Sequence, residues 1–453
     1  MLKLSFYGGA QEVTGACYLL ETESTRILID CGLFQCARFC EKRNRDDFPF
    51  KPETLHALIV THGHIDHIGR VPKLVGKGFR GRIISTPPTR DFGGIMLEDS
   101  LRVLEKEARN DKEEALYTEE DIAKAVSLWE GIEYHKEFSV GDFSITLRNS
   151  GHVLGSAMIE IKVKGRNEKI VFTGDLGNSP TPLLPDKDAV EGVTHLIIES
   201  AYGDRVHEDK SERKTKLERV IENTFREKGV LMIPAFSVER TQELLFEMNE
   251  LVEHGRIPSA AIFIDSPLAI KVTRIYAAHH DYFNEEARRL IQAGDDLFRF
   301  PGLKFTESAE ESKGINNVPP PKVIVAGAGM MQGGRILHHA KRYLPGAHNT
   351  LLFIGYQGAG SLGRRLLDGA DEVTIHGEKI SVAAHIQAIG GYSAHADANA
   401  LYDFISSNDQ TLKKVFVVQG EPSSSLYLVQ RVRDNLGINA AAPANAESFT
   451  FEN

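Results

Sequence analysis

At 453 residues the chain is too long for one ordinary hydrophobic core, so it reads as two domains or as one domain carrying a large insertion. Its 42% hydrophobic and 26% charged residues are those of a folded globular protein, and no run approaches the roughly 18–20 apolar residues of a membrane helix. A net charge of −10 argues against a general nucleic-acid-coating surface, though not against a nuclease, whose catalytic carboxylates enter the same sum.

The N-terminal stretch MLKLSFYGGAQEVTGA is interrupted by glycines, Gln11 and Glu12 before a signal-peptide core could form, so the expected location is the cytoplasm. From residue 1 to 204 the chain reads as short strands ending in polar loops. KLSFYG, CYLLET, RILIDCG, ALIVTHG, SITLRNSGH, SAMIEIKV, KIVFTGD and HLIIESA each combine β-branched or alternating apolar residues with a turn signal. Between 98 and 137 a charged stretch at helical spacing predicts a solvated pair of helices. The four cysteines, Cys17, Cys31, Cys36 and Cys40, all fall early, and no second pair accompanies Cys36 and Cys40. Reduced thiols are expected, rather than a disulfide framework or a structural zinc site.

From 205 to 377 the rhythm changes to strand, small-residue loop, helix. VLMIPAFS, AIFIDSP, VIVAGAGMMQGG and LLFIGYQGAGS are each followed by a helical segment, which predicts a parallel, doubly wound α/β layer. The glycine-rich loops GAGMMQGG and GYQGAGSLG can hold phosphate on backbone amides. Neither shows G-x-G-x-x-G with an acidic residue about twenty positions on, so no dinucleotide site is expected. After 378 the strand-rich style returns in KISVAAHIQAIGGYSAHAD and KKVFVVQGE. Residues 205–377 are therefore expected to be an insertion, with 1–204 and 378–453 forming one β-rich domain around it.

The chemistry begins where ALIVTHGHIDHIG leaves its strand and presents His62, His64, Asp66 and His67. Three histidines and an aspartate in six residues are poorly explained by core packing or a solvated loop, and imidazole with carboxylate suits zinc. The spacing misses the i, i+4 face of a helix and suits a loop, with His62 and His64 facing one point and Asp66 and His67 a neighbouring one. Two more strand ends add candidates. His152 in NSGHVLGSAM either caps a turn or supplies a ligand; Asp175 after KIVFTG is either an Asx-turn residue or a ligand. Joined to the cluster they complete two sets of three or four donors, with a carboxylate able to bridge. Asp30, ending RILID, is cast as a carboxylate that orients a ligand histidine.

HGHIDH, with Asp30 before it and His152 and Asp175 after it, resembles the motif series of the metallo-β-lactamase fold. LIIESAYGDR, PAFSVERTQELL, DSPLA, GMMQGGRILHHAKRYL, GYQGAGSLGRRL and GYSAHAD are similar to the β-CASP nucleases. Over nearly the whole chain the likeness is to their RNA-cleaving branch, which includes the endonuclease subunit of the cleavage and polyadenylation specificity factor and its prokaryotic relatives. The resemblance implies an α/β protein: a metallo-β-lactamase αββα sandwich with an inserted, doubly wound β-CASP domain. It implies two zinc ions, one on His62, His64 and His152, the other on Asp66 and His67, with Asp175 bridging. It implies that His395 in YSAHAD protonates the leaving oxygen and that Glu199 in IIESAYGD supports it. The implied partner is RNA, single-stranded, with no membrane, and a homodimer is a further candidate. Arg240, Lys271, Arg335, Arg364 and Arg365 follow the strand-end loops and are candidates for RNA-backbone contacts, equally readable as solvated helix charge.

One position departs from the pattern. RNA-cleaving members carry a last histidine ligand in a segment like VHGE, where this chain has Gln419 in FVVQGE. A glutamine offers only a neutral amide oxygen, so the second zinc is expected to be held more weakly. The expected function is a zinc-dependent ribonuclease, endo or 5′–3′ exo, with Asp66, Asp175, Glu199 and His395 as catalytic residues. The alternatives are an RNA-binding scaffold subunit with weakened or no catalysis, and a DNA-directed nuclease of the same family.

Overall fold

The computed structural model of the chain describes residues 1–35, 40–355, 357–358 and 360–451; Cys36 lies outside them. The chain divides into two compact units: Met1–Pro180, Asp186–Val206 and His395–Asn453 form one, Thr181–Pro185 and His207–Ala394 the other.

The first unit contains two seven-stranded sheets. In spatial order, one is Ser448–Phe451, Leu2–Phe6, Tyr18–Glu21, Arg26–Ile29, Ala57–Ile59, Arg82–Ser85 and Trp129–Gly131. The other is Ala440–Ala441, Lys414–Val418, His195–Glu199, Lys169–Phe172, Ala157–Val163, Phe143–Asn149 and Glu137–Val140. Successive side chains on a strand point to opposite faces, and the apolar residues sort accordingly. Ile170, Phe172 and Ile197 join Leu4, Phe6, Ile29 and Ile59 in a core between the sheets. Val171, Leu196 and Ile198 face the other way, under Leu401 and Phe404 of helix Ala398–Ser406 and Leu428 and Val432 of helix Pro422–Leu436. Both faces are covered, which is why these strands read as continuous apolar runs rather than alternating ones. Each buried side chain of this size stabilises by about 1.5–3 kcal/mol, so a one-residue slip of register is strongly disfavoured.

The charged stretch around 98–137 does contain two helices, but the first begins earlier, as Pro87–Asp111. Thr86 caps it, with its hydroxyl accepting the Thr89 N–H, and Pro87 and Pro88 occupy first-turn positions that need no amide donor. The second, Glu119–Ser127, opens on a reciprocal Thr118–Asp121 capping box. The strand Trp129–Gly131 follows at once and pairs in parallel with Arg82–Ser85.

The second unit is a six-stranded sheet in the order Leu303–Phe305, Ala261–Ile264, Lys322–Ala326, Val230–Pro234, Thr350–Phe353 and His385–Ala388, with every pairing parallel. It reaches Ala394, beyond the boundary expected near 377, because His385–Ala388 adds to the edge of this sheet beside Thr350–Phe353. Glu378–Ser381 pairs locally with Glu372–Ile375. Cys17 and Cys31 are free and buried, whereas Cys40 is disulfide-bonded, which corrects the expectation of four reduced thiols. No helix among the described residues is long and apolar enough to cross a membrane.

In the first unit Arg26–Ile29 runs parallel to Ala57–Ile59, and Lys169–Phe172, His195–Glu199 and Lys414–Val418 run parallel to one another. Parallel strands in register deliver their C-terminal ends to one edge of a sheet. The residues just past those ends are Asp30, Thr61 and His62, Asp175, and Gln419, while Glu199 closes its own strand.

Candidate metal centre

The turn after Ala57–Ile59 differs from a simple loop. Ile65–Ile68 forms a single helical turn with His64 at its N-cap. The Gly69 N–H meets the Ile65 carbonyl at 2.7 Å, and the turn swings His67 back toward Asp30 while His64 stays forward. Gly32 makes this close passage feasible: a Cβ there would lie 1.5 Å from the Asp66 carbonyl oxygen. His152 is set by a second local device, in which the Ser156 hydroxyl accepts the N–H of His152 and of Val153, each at 3.1 Å.

These elements bring His62, His64, His152 and Asp175 together, with one donor atom from each lying within 4.8 Å of all the others. Asp175 Oδ2 is 3.4 Å from Nε2 of His62 and 3.4 Å from Nε2 of His152. His64 Nδ1 lies 3.0 Å from His62 Nε2 and 3.3 Å from His152 Nε2. Three imidazoles and a carboxylate at this spacing fit a metal ion in number and chemistry. Their charge states fit as well. The imidazoles of His64 and His152 are pushed well below their ordinary value, first by burial and then by His62 and His395 respectively. Burial alone would raise the Asp175 carboxyl, but His67, His62 and His395 outweigh it and hold it well below the usual range. Neutral histidines beside an ionised aspartate are the forms that bind a cation.

The other oxygen of Asp175 faces a different set. Asp175 Oδ1 is 3.4 Å from His67 Nε2, which is 3.8 Å from Asp66 Oδ2. His67 Nδ1 bonds to Asp30 Oδ2 at 2.7 Å. Asp30 also accepts the Thr61 N–H at 2.8 Å and its hydroxyl at 2.7 Å, in a backbone conformation with φ of +57° that few non-glycine residues adopt. Gln419 enters between the two groups: its Nε2 lies 2.9 Å from His67 Nε2 and 3.0 Å from Asp175 Oδ1.

His395 is fixed from both sides in sequence. Asp397 caps helix Ala398–Ser406, Ala396 donates to the Leu176 carbonyl at 2.7 Å, and His395 itself forms a β-bridge with Gly177. Its Nδ1 stands 3.2 and 3.3 Å from the two oxygens of Glu199 and 4.0 Å from Asp175 Oδ2. Burial raises the Glu199 carboxyl, against the opposing pull of His395. The arrangement can hold a proton on His395 next to the metal donors.

The five basic candidates all belong to the second unit. Arg335 is engaged there, donating to Asp265 at 2.7 Å and to the carbonyls of Thr306 and Glu307 at 2.9 and 2.8 Å. Arg364 pairs with Asp368 one turn away, and Arg365 is exposed. Arg240 opens helix Arg240–Glu253, and Lys271 lies within helix Pro267–Ala278. Sequence reasoning missed Thr61, whose hydroxyl is also within 3.1 Å of His62 Nδ1 and 3.2 Å of His67 Nδ1. It missed Tyr202, whose ring centroid is 5.9 Å from that of His395. A threonine directly before the first histidine was the available signal for Thr61; a tyrosine three residues after Glu199 carries no comparable one.

Comparison with known families and proteins agrees with this geometry. Residues 10–222 match the metallo-beta-lactamase superfamily, 241–366 the Beta-Casp domain, and 379–443 the Zn-dependent metallo-hydrolase RNA specificity domain. The chain is 37% identical to Ribonuclease TTHA0252 of Thermus thermophilus over 423 residues, covering 93% of this chain and 94% of the relative. It is 31% identical to the transcription termination factor FttA of Methanosarcina mazei over 462 residues, covering 99% and 71% respectively. A solved structure from Enterococcus faecalis, a protein of unknown function, shares the fold with a TM-score of 0.58 at 13% identity, covering 99% of both chains.

Proposed function

The chain belongs to the β-CASP branch of the metallo-β-lactamase superfamily of metal-dependent hydrolases, and from that premise we propose that it is a zinc-dependent ribonuclease acting on single-stranded RNA. One observation carries the reading. A single carboxylate oxygen, Asp175 Oδ2, lies 3.4 Å from two histidines of a metal-sized donor set and 4.0 Å from a histidine placed to move a proton.

His62, His64, His152 and Asp175 would hold zinc, which supplies charge stabilisation of phosphoryl oxygens and an acidified water when bound. The remaining work falls to the protein's own groups. Glu199 anchors His395 through Nδ1, which leaves Nε2 to give a proton to the departing ribose oxygen. The Glu199 carboxylate is itself held by the Leu176 and Ala201 amides at 2.6 and 3.3 Å, so it keeps its place as the ring changes charge. Asp30 and Thr61 hold the His62 and His67 rings in position. The likeness of 379–443 to an RNA specificity domain, and of the whole chain to a ribonuclease, supports RNA over DNA.

The test is hydrolysis of end-labelled single-stranded RNA and DNA with zinc supplied, by wild type, His64→Ala and His395→Ala. Wild type should shorten RNA and spare DNA, with both variants slower by at least about 100-fold. The product ladder separates internal cutting from trimming at an end. RNA that is retained yet never cut would favour a non-catalytic RNA-binding subunit.

A further inference from the structure

We infer that this chain is built to hold one metal ion rather than two, because the side-chain amide of Gln419 takes up the donors of the second position. The inference rests on the metal-dependent reading above and deepens it.

Gln419 is 3% exposed, directly past strand Lys414–Val418. Its backbone sits at φ +49°, held by an N–H to the Gly9 carbonyl at 2.6 Å. The left-handed region is unfavourable for a non-glycine residue and persists where surroundings enforce it. Gly9 also packs against the side chain, since a Cβ at that position would lie 3.2 Å from Gln419 Cγ. The side chain is therefore directed at a fixed target, between His67 Nε2 at 2.9 Å and Asp175 Oδ1 at 3.0 Å.

Those two atoms are the donors that a second ion would need besides Asp66. An ionised carboxylate oxygen only accepts hydrogen bonds, so Asp175 Oδ1 faces the amide N–H2 and not the amide oxygen. Gln419 Nε2 also stands 2.9 Å from His67 Nε2, whose ring is held from its other side by Asp30 at 2.7 Å. A cation entering here meets the amide N–H2 of Gln419 where it needs a lone pair. Turning the amide over would offer one neutral oxygen, give up the hydrogen bond to Asp175 and set the amide oxygen against a buried carboxylate oxygen. The remaining donor, Asp66 Oδ2, is 3.8 Å from His67 Nε2, and its side chain is 21% exposed. Among the described residues, no set of three donors that includes both Asp66 and His67 closes to the 4.8 Å reached by His62, His64, His152 and Asp175. Gln419 thus sets its amide against the donors of the second position, and Asp175 serves one ion through Oδ2 alone.

The full-length chain, loaded with zinc in slight excess and desalted, is to be measured by native mass spectrometry and elemental analysis. Wild type and Asp66→Ala should each carry one zinc, and His64→Ala none. Gln419→His should carry two, and the double variant Gln419→His with Asp66→Ala should return to one. Gln419→Glu, isosteric and charged, should also gain the second ion, so misfolding of one variant leaves the other to decide. Two zinc ions on wild type, or one on both Gln419→His and Gln419→Glu, would overturn the inference. Zinc content is read without RNA. One zinc with no cleavage removes the ribonuclease reading and leaves this one standing, whereas RNA cleavage by a two-zinc wild type does the reverse.

Discussion

Replacing Glu199 by glutamine should slow RNA cleavage in kcat and leave KM nearly unchanged. Glu199 is fully buried, accepts the Leu176 N–H at 2.6 Å, and presents both oxygens to His395 Nδ1 at 3.2 and 3.3 Å. Glutamine keeps the shape and one oxygen for Leu176, so the fold and the metal donors should survive. What disappears is the negative charge that stabilises a protonated His395. A hydrogen bond to a charged group contributes about 1.5–3 kcal/mol, and about 1.4 kcal/mol is tenfold in rate, which gives a loss of about 10- to 150-fold. The 3.2 Å separation is long for a charge-assisted bond, and His395 is 26% exposed. Both facts place the expectation near the lower end, at about 10- to 30-fold. The assay is single-turnover cleavage of end-labelled RNA beside hydrolysis of bis(4-nitrophenyl) phosphate, whose leaving phenolate departs without a proton. The loss should fall on RNA and stay below about threefold on the nitrophenyl diester. His395→Ala should show the same split with a larger RNA loss of about 10²- to 10⁴-fold. Equal losses on the two substrates, or an unchanged RNA rate in Glu199→Gln, would refute the general-acid assignment.

Removing metal with a chelator should abolish cleavage and lower the melting temperature, and added zinc should restore both; an unchanged melting temperature would mean that the four-donor cluster holds no ion in the folded chain. In the second unit, Asp265 is buried and bonds to Thr306, Ser312, Arg335 and His339 at 2.8, 2.6, 2.7 and 2.7 Å. Asp265→Ala should destabilise by about 3–5 kcal/mol and lower the melting temperature by about 6–20 °C, with calorimetry as the check. Burial works to raise the Asp265 carboxyl, but His339, Ser312, Thr306 and Arg335 bring it from 3.8 to about 2. The stabilisation is therefore whole above pH 3.8 and lost as pH falls toward 2, by about 2 kcal/mol, a window that acid melts of wild type against Asp265→Ala would reveal. Glu239 behaves oppositely, since burial and then Glu243 push its carboxyl from 4.5 up to about 8. The native state keeps a proton that the unfolded chain gives up, so stability falls as pH rises from 4.5 to 8. Glu239→Gln, which retains an oxygen for the Tyr276 hydroxyl, should melt above wild type at pH 8 and level with it near pH 5; parallel melting curves across that range would count against a buried neutral acid.

Much of the architecture was legible because apolar runs and turn residues act locally. The eight N-terminal strand segments and the four strand–helix units are all present where period and punctuation placed them. That the second compact unit runs on to Ala394 was not legible, because His385–Ala388 has no buried apolar run and its parallel pairing with Thr350–Phe353 is a long-range event. The first helix of the charged pair began earlier than its charges did, because a threonine cap and two prolines start a helix as effectively as amphipathic spacing. Arg335 looked like a surface cation, yet Asp265, 70 residues earlier, takes its guanidinium.

By itself the sequence determined the donor inventory: imidazoles and carboxylates placed at strand ends, and a glutamine where a further imidazole was expected. Residue type fixes what an atom can give or accept, and that much is local. Tertiary structure alone decided which atoms meet. Gln419 and His67 are 352 residues apart, and His395 and Glu199 are 196 apart. Gln419 and Glu199 arrive because parallel strands, held in register by burial on both faces, bring their ends to one edge, and His395 arrives through its β-bridge to Gly177. Hydrogen bonds there depend on angles and on distances near 3 Å, so only the folded chain shows that Asp175 turns one oxygen to the histidine cluster and the other to an amide.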